Sequence, residues 1–211
     1  MTPRTALLEP WVRLLGAHED VTAAGEDLLD RYAEPHRGYH DLRHLAEVLQ
    51  AVRALADDDA PPPVLLAAYW HDAVYDPIAG DHEERSAALA DHTLTRLGLP
   101  PAEVDEVVRL VLLTRTHDPA EPDVAGALLC DADLAILAAP SERYSSYVRG
   151  VRQEYGHLSD EVFRRGRAEV LRALARHEHL FRTPQGRSRW EVAARQNLQS
   201  ELAELGADPQ P

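Results

Sequence analysis

The chain has 211 residues, a net charge of −14 and a single cysteine, Cys130. That length suits one domain with a sizeable core. The charge excludes general affinity for nucleic acid or an anionic membrane, both of which need a positive face, and a lone cysteine excludes an internal disulfide. Alanine and leucine dominate, β-branched and aromatic residues are sparse, and no stretch alternates with period two. The expected fold is therefore all-α, a single-domain helical bundle.

The predicted elements run as follows. A short helix spans about Ala6 to Leu15 and a longer one Val21 to Ala33, ending before Pro35. The segment Glu34-Pro35-His36-Arg37-Gly38-Tyr39-His40 is a loop by its proline and glycine, and it concentrates two histidines, an arginine and a tyrosine. From Asp41, an apolar stripe at three-to-four spacing (Leu42, Leu45, Val48, Leu49, Val52, Leu55) predicts a helix, with His40 and His44 one turn apart at its start and His44 pointing inward. Asp57-Asp58-Asp59 and Pro61-Pro62-Pro63 form a solvated, stiff connector that opens the next helix.

That next helix carries the first anomaly. Ala67-Ala68-Tyr69-Trp70-His71-Asp72-Ala73-Val74-Tyr75-Asp76 is an apolar run broken by an adjacent histidine and aspartate. Burying such groups costs several kcal/mol unless something compensates. A divalent cation is one compensation, because neutral imidazole and carboxylate both ligate it; a hydrogen-bonded structural pair is the other. His71 and Asp72 lie about 100° apart around this helix, and Asp76 lies one turn beyond Asp72 on nearly the same face. Past Pro77 and Gly80, Asp81-His82-Glu83-Glu84-Arg85-Ser86 opens a helix to about Leu97, with Glu83 read as a dipole partner. Ala102 to about Arg115 follows, with His117 at its end, and then Asp123 to about Ala138. This last helix holds the second anomaly, Asp131 and Asp133 inside an apolar run, about 200° apart and so unable to face one ion together. Amphipathic helices over about Ser141–Tyr155, Ser159–His177 and Arg187–Leu205 complete a domain of residues 1–205. They are expected to pack on the core, with a homodimer as the alternative. Residues 206–211 read as a disordered tail.

Collected, His44, His71-Asp72 and Asp133 offer two imidazoles and two carboxylates, leaving positions on a divalent ion for water and substrate, as hydrolysis requires. The order of these residues on an all-α scaffold resembles the HD superfamily of metal-dependent phosphohydrolases. Tyr39-His40-Asp41-Leu42-Arg43-His44, Trp70-His71-Asp72-Ala73-Val74-Tyr75-Asp76-Pro77, Glu83-Glu84-Arg85-Ser86-Ala87, Asp131-Ala132-Asp133-Leu134, Phe181-Arg182-Thr183-Pro184 and Ala194-Arg195-Gln196-Asn197-Leu198 are similar to its group of predicted metal-dependent HD phosphohydrolases. The likeness spans nearly the whole chain.

The resemblance implies an HD-type bundle and an enzyme that hydrolyses a phosphomonoester or pyrophosphate of a small molecule, with a nucleotide as the expected class. One divalent transition metal (Mn, Co, Ni, Zn or Fe) is expected, held by His44, His71, Asp72 and Asp133. Asp133 is preferred to Asp131 because the superfamily places its ligand second in such an element. The alarmone hydrolases of the superfamily carry a Glu-Asp pair after His-Asp; here Tyr75 and Asp76 stand there, which makes Asp76 the candidate to orient or deprotonate water. Glu84 is a second acid-base candidate. Arg37 and His40 are candidate phosphate contacts. Two alternatives remain: a non-catalytic nucleotide-sensing module, and a di-iron oxygenase that recruits His92 and His117. The first residues, Met1-Thr2-Pro3-Arg4, lack a signal-peptide core, and no run approaches the roughly 20 apolar residues of a membrane span. A cytoplasmic protein with a small phosphorylated partner, and with neither nucleic acid nor membrane, is the expectation.

Overall fold

The computed structural model describes residues 3–206. Of the expected tail, 207–211 lies outside the described residues, and Gly206 closes the last helix by donating its N–H to Ala203 O. The described residues form helices α1 (Pro3–Leu15), α2 (Glu19–Tyr32), α3 (Leu42–Leu55), α4 (Pro62–Trp70), α5 (His82–Arg96), α6 (Pro101–Leu113), α7 (Val124–Asp133), α8 (Ser141–Glu154), α9 (Asp160–Ala175) and α10 (Pro184–Glu204), with a 3₁₀ segment, Leu134–Ala138, after α7. There is no strand among them, so the fold is all-α, as composition and periodicity predict. No single helix among them is long and apolar enough to cross a membrane.

The bundle is organised around α4. It is apolar on every side, and Val64 and Leu66 to Trp70 are all buried, as expected of a helix surrounded by others. It packs on α3, α5, α6 and α7. Two of the boundaries differ from the sequence pattern. α4 stops at Trp70, with His71 as its C-cap, so Asp72 and Asp76 are not on it. Tyr32 and Arg37 cause the stop. The Tyr32 hydroxyl accepts from Asp72 N (3.2 Å). Arg37 donates to Asp72 O (2.8 Å) and Ala73 O (3.2 Å), carbonyls left free where the helix ends. Likewise the helix predicted over 123–138 tightens into the 3₁₀ segment immediately after Asp133.

The core has two parts. The larger joins α1 to α7; the smaller joins Tyr39, Leu137 and helices α8 to α10, and Trp190 packs against both. The loop between α2 and α3 lies along their seam. Gly38 and Gly150 meet there backbone to backbone: a Cβ on Gly150 would sit 2.5 Å from Gly38 O. Glu154, at the end of α8, holds the loop. Its Oε1 accepts from Gly38 N, Tyr39 N and His40 N (2.7–2.9 Å), and its Oε2 pairs with His40 Nδ1 (2.8 Å) and accepts from Tyr75 OH (3.1 Å).

Burial acts to raise the Glu154 pKa, but its contacts with His40 and the loop amides outweigh it and hold the carboxyl at about 2 against an ordinary 4.5. A carboxyl depressed by folding stabilises fully above its unfolded pKa, and that stabilisation is lost as pH falls through the interval from 4.5 toward 2. It amounts to roughly 3 kcal/mol. Between pH 6 and pH 2, urea unfolding should cost wild type about that much more stability than Glu154→Gln. Parallel pH profiles for the two proteins would contradict the assignment.

Candidate metal centre

Four titratable side chains from three helix ends meet at the junction of α3, α4 and α7. His44 enters in the first turn of α3, which Asp41 caps by accepting from Arg43 N (2.9 Å) and His44 N (3.1 Å). His71 follows α4, and its Nδ1 lies 2.9 Å from Ala68 O. A proton on that nitrogen, given to the carbonyl, leaves the Nε2 lone pair facing the cluster, the arrangement that orients metal-binding histidines. Asp72 is fixed by the backbone contacts with Tyr32 and Arg37, and Asp133 is the last residue of α7.

The two Nε2 atoms are 3.0 Å apart. Asp72 Oδ2 lies 3.3 Å from that of His44 and 3.1 Å from that of His71, and Asp133 Oδ1 3.3 Å and 3.6 Å from the same atoms. His44, His71 and Asp133 each offer a ligand atom within 4.8 Å of the others, a group able to hold a metal ion. The spacing fits coordination: ligands about 2.1 Å from an ion and 90–110° apart around it are separated by roughly 3.0–3.4 Å. Both histidines are buried, and Asp72 and Asp133, mostly buried, line the cavity.

The cluster is electrostatically coupled. Burial disfavours the charged imidazoles, yet hydrogen bonds to Asp133 and Asp72 raise the His44 pKa, and the charges of Asp72 and Asp133 help raise that of His71 further. Conversely, burial opposes ionisation of Asp72 and Asp133, but His71 above all holds both well below the usual carboxylate range. Positive charge is what this site lacks and protons partly supply.

Asp131 faces the other way, as its angular offset predicts. Its carboxylate accepts from Arg182 N, Thr183 N and Thr183 Oγ1 (2.6–2.7 Å), tying the start of α10 to α7. Its role is structural, and Asp133 is the carboxylate that joins the imidazoles.

Above the cluster opens a cavity of about 510 Å³. His40 is on its wall, ring stacked on Tyr75 at 4.1 Å and fixed by Glu154. His117 also lines it, with Nε2 2.7 Å from Asp133 Oδ2. Its φ of +51° is a conformation more usual for glycine after a helix end, held here by a histidine whose ring lands on a cluster residue. His92, by contrast, is exposed on α5 and does not line the cavity.

Three of the candidate residues lie off the cavity wall. Arg37 has a fully buried side chain that donates to Glu34, His40 O, Asp72 O and Ala73 O; it clamps the loop to the end of α4 and does not line the cavity. Asp76 accepts from Ile78 N and Ala79 N and faces Arg85, outside the cavity, because α4 ends before it. Glu84 pairs with Arg115 and is not part of the cavity wall. In their place Tyr75, His82, Glu83 and Arg115 line the cavity. His82 is raised in pKa, chiefly by its hydrogen bond to Glu83, and its Nδ1 is buried without a partner. Glu154 could have been found in the sequence, since it continues the buried stripe of Tyr144, Tyr147, Gly150 and Val151.

No protein-family model, curated protein or solved structure matches the chain.

Two outcomes follow from the geometry. Asp133→Ala should lose bound metal, whereas Asp131→Ala should keep it while losing about 2–4 kcal/mol of stability through its orphaned donors; elemental analysis and urea unfolding distinguish them. Because folding raises the pKa of both imidazoles, a metal must displace their protons. Affinity should thus rise with pH, and calorimetry in buffers of different ionisation enthalpy should register proton release.

Proposed function

We propose that this chain is a metal-dependent phosphohydrolase of the HD type, cleaving a phosphate ester or pyrophosphate bond of a small molecule. The observation that carries the reading is the convergence of His44, His71, Asp72 and Asp133 at ligand spacing, with Asp72 and Asp133 lining a cavity that further titratable groups also line. His44, His71, Asp72 and Asp133 would hold a divalent ion there, which would supply Lewis acidity and a nucleophile near neutral pH.

The remaining roles belong to the chain's own residues. His71 is oriented by Ala68 O, and Asp133 is steadied by His117. His40, held by Glu154, is positioned to donate to a phosphate oxygen; this retains the contact expected from sequence while Arg37 gives up its share. Arg115 lines the cavity and offsets charge developing on the phosphoryl group. His82, charged more readily because of Glu83, is the proton donor to the leaving oxygen. Burial strengthens the interactions made by His44 and His71, whose side chains are withdrawn from water.

Purified protein should contain about one manganese, cobalt, nickel, zinc or iron per chain and release phosphate from a panel of phosphate esters and pyrophosphates, both properties disappearing in Asp72→Ala. Two irons per chain with oxygen consumption and no phosphate release would favour the oxygenase. Tight nucleotide binding without turnover would favour a sensing module.

A further inference from the structure

Beyond the cluster, the cavity changes character. Its far wall is made by Leu134 and Ile136 of the 3₁₀ segment, facing Val162, Phe163, Val170 and Leu174 of α9. Val162, Gly166, Val170 and Leu174 recur every fourth residue and so share one face of that helix. Val162 is 42% and Val170 52% exposed, although the helix is otherwise rich in charge: Arg164, Arg165, Glu169 and Arg172 are available to cover a solvent face. Apolar residues of this face instead line the cavity that Asp72 and Asp133 also line.

Charge narrows what can fit. Arg115 is paired with Glu84, and the Arg167 guanidinium is committed to Glu201 (2.7 and 3.0 Å) while lying over the Tyr147 ring. Asp72, Glu83 and Asp133 face the same space. One phosphate dianion can be balanced by a divalent ion and the neighbouring histidines; the further charges of a di- or triphosphate would meet Glu83 with only Arg115 to offset them. A nucleobase would find no side-chain amide or carboxylate on the apolar wall to read its edge.

Resting on the phosphohydrolase reading, we infer that the substrate is the monophosphate ester of an apolar alcohol, with its phosphate at the His/Asp cluster and its hydrocarbon between the 3₁₀ segment and α9. In the reaction a water oxygen bonds to phosphorus and the bond from phosphorus to the alcohol oxygen breaks. One water proton ends on that oxygen, and the products are the free alcohol and hydrogen phosphate.

Gly166 gives the test its handle. It lines the cavity, a Cβ there meets nothing within 4 Å, and replacing a glycine inside a helix favours the helix, so Gly166→Leu adds apolar bulk at the wall. The measurements are phosphate release from methyl, butyl and octyl phosphate and from nucleoside mono- and triphosphates with manganese, and calorimetric binding of methyl- and octylphosphonate, whose C–P bond is not cleaved. For wild type, kcat/KM and phosphonate affinity should each rise roughly threefold per methylene until the cavity is filled. In Gly166→Leu the octyl-to-methyl ratio should fall at least about tenfold. Chain-length-dependent phosphonate binding without any phosphate release would support the cavity assignment and defeat the hydrolase reading. Faster turnover of a nucleoside triphosphate than of octyl phosphate would overturn the assignment and leave the hydrolase standing. A ratio indifferent to chain length or to Gly166→Leu, or no binding of either phosphonate, also overturns it.

Discussion

Everything in this molecule answers to four ionisable side chains packed between apolar helices. His44, His71, Asp72 and Asp133 lie within 3.0–3.6 Å of one another across five contacts in a region from which water is largely excluded. Isolated, each charge would cost several kcal/mol to bury. Together they are tolerable because imidazole and carboxylate shift one another's protonation in complementary directions. Three of them, His44, His71 and Asp133, form a group that could hold a metal ion.

The scaffold concentrates its own polar bonds where that spacing must be kept. Arg37 and Tyr32 take over the backbone groups that α4 leaves free and so turn Asp72 out of the helix beside His71. Glu154 gathers three successive loop amides, a histidine and a tyrosine on one carboxylate, which fixes His40 and Tyr75 on the cavity wall. Asp131 does the equivalent for α10, through Arg182 and Thr183. Arg37, Tyr32, Glu154 and Asp131 are all buried and hydrogen-bonded, so none can be trimmed without stranding partners.

The two parts of the core divide the labour. The larger, built on α4, supplies the cluster, and the smaller supplies the apolar wall through the 3₁₀ segment and α9. A cavity at their seam can therefore be polar at one end and apolar at the other. The tightening of α7 into a 3₁₀ turn after Asp133 links the two ends, since it puts Leu134 and Ile136 into the wall immediately after the last cluster residue.

The sequence by itself determined the helical class, most helix positions and the identity of the cluster. Helical periodicity is local, and His71-Asp72 and Asp133 are conspicuous because charge interrupts apolar runs. Rotation of about 200° along a helix showed that Asp131 and Asp133 go to opposite partners, but the preference for Asp133 came from the resemblance. Only the tertiary structure decided where α4 stops, because Tyr32 and Arg37 act on it from about 35–40 residues away. That ending removed Asp76 from the site, and Arg37 was removed by the same contacts that spent its donors. It also brought in His82, Glu83 and Tyr75, which look like an ordinary helix start and loop until folding turns them onto one cavity. Periodicity reports which face of a helix is apolar; which long-range partner takes a polar group depends on packing between segments distant in the chain.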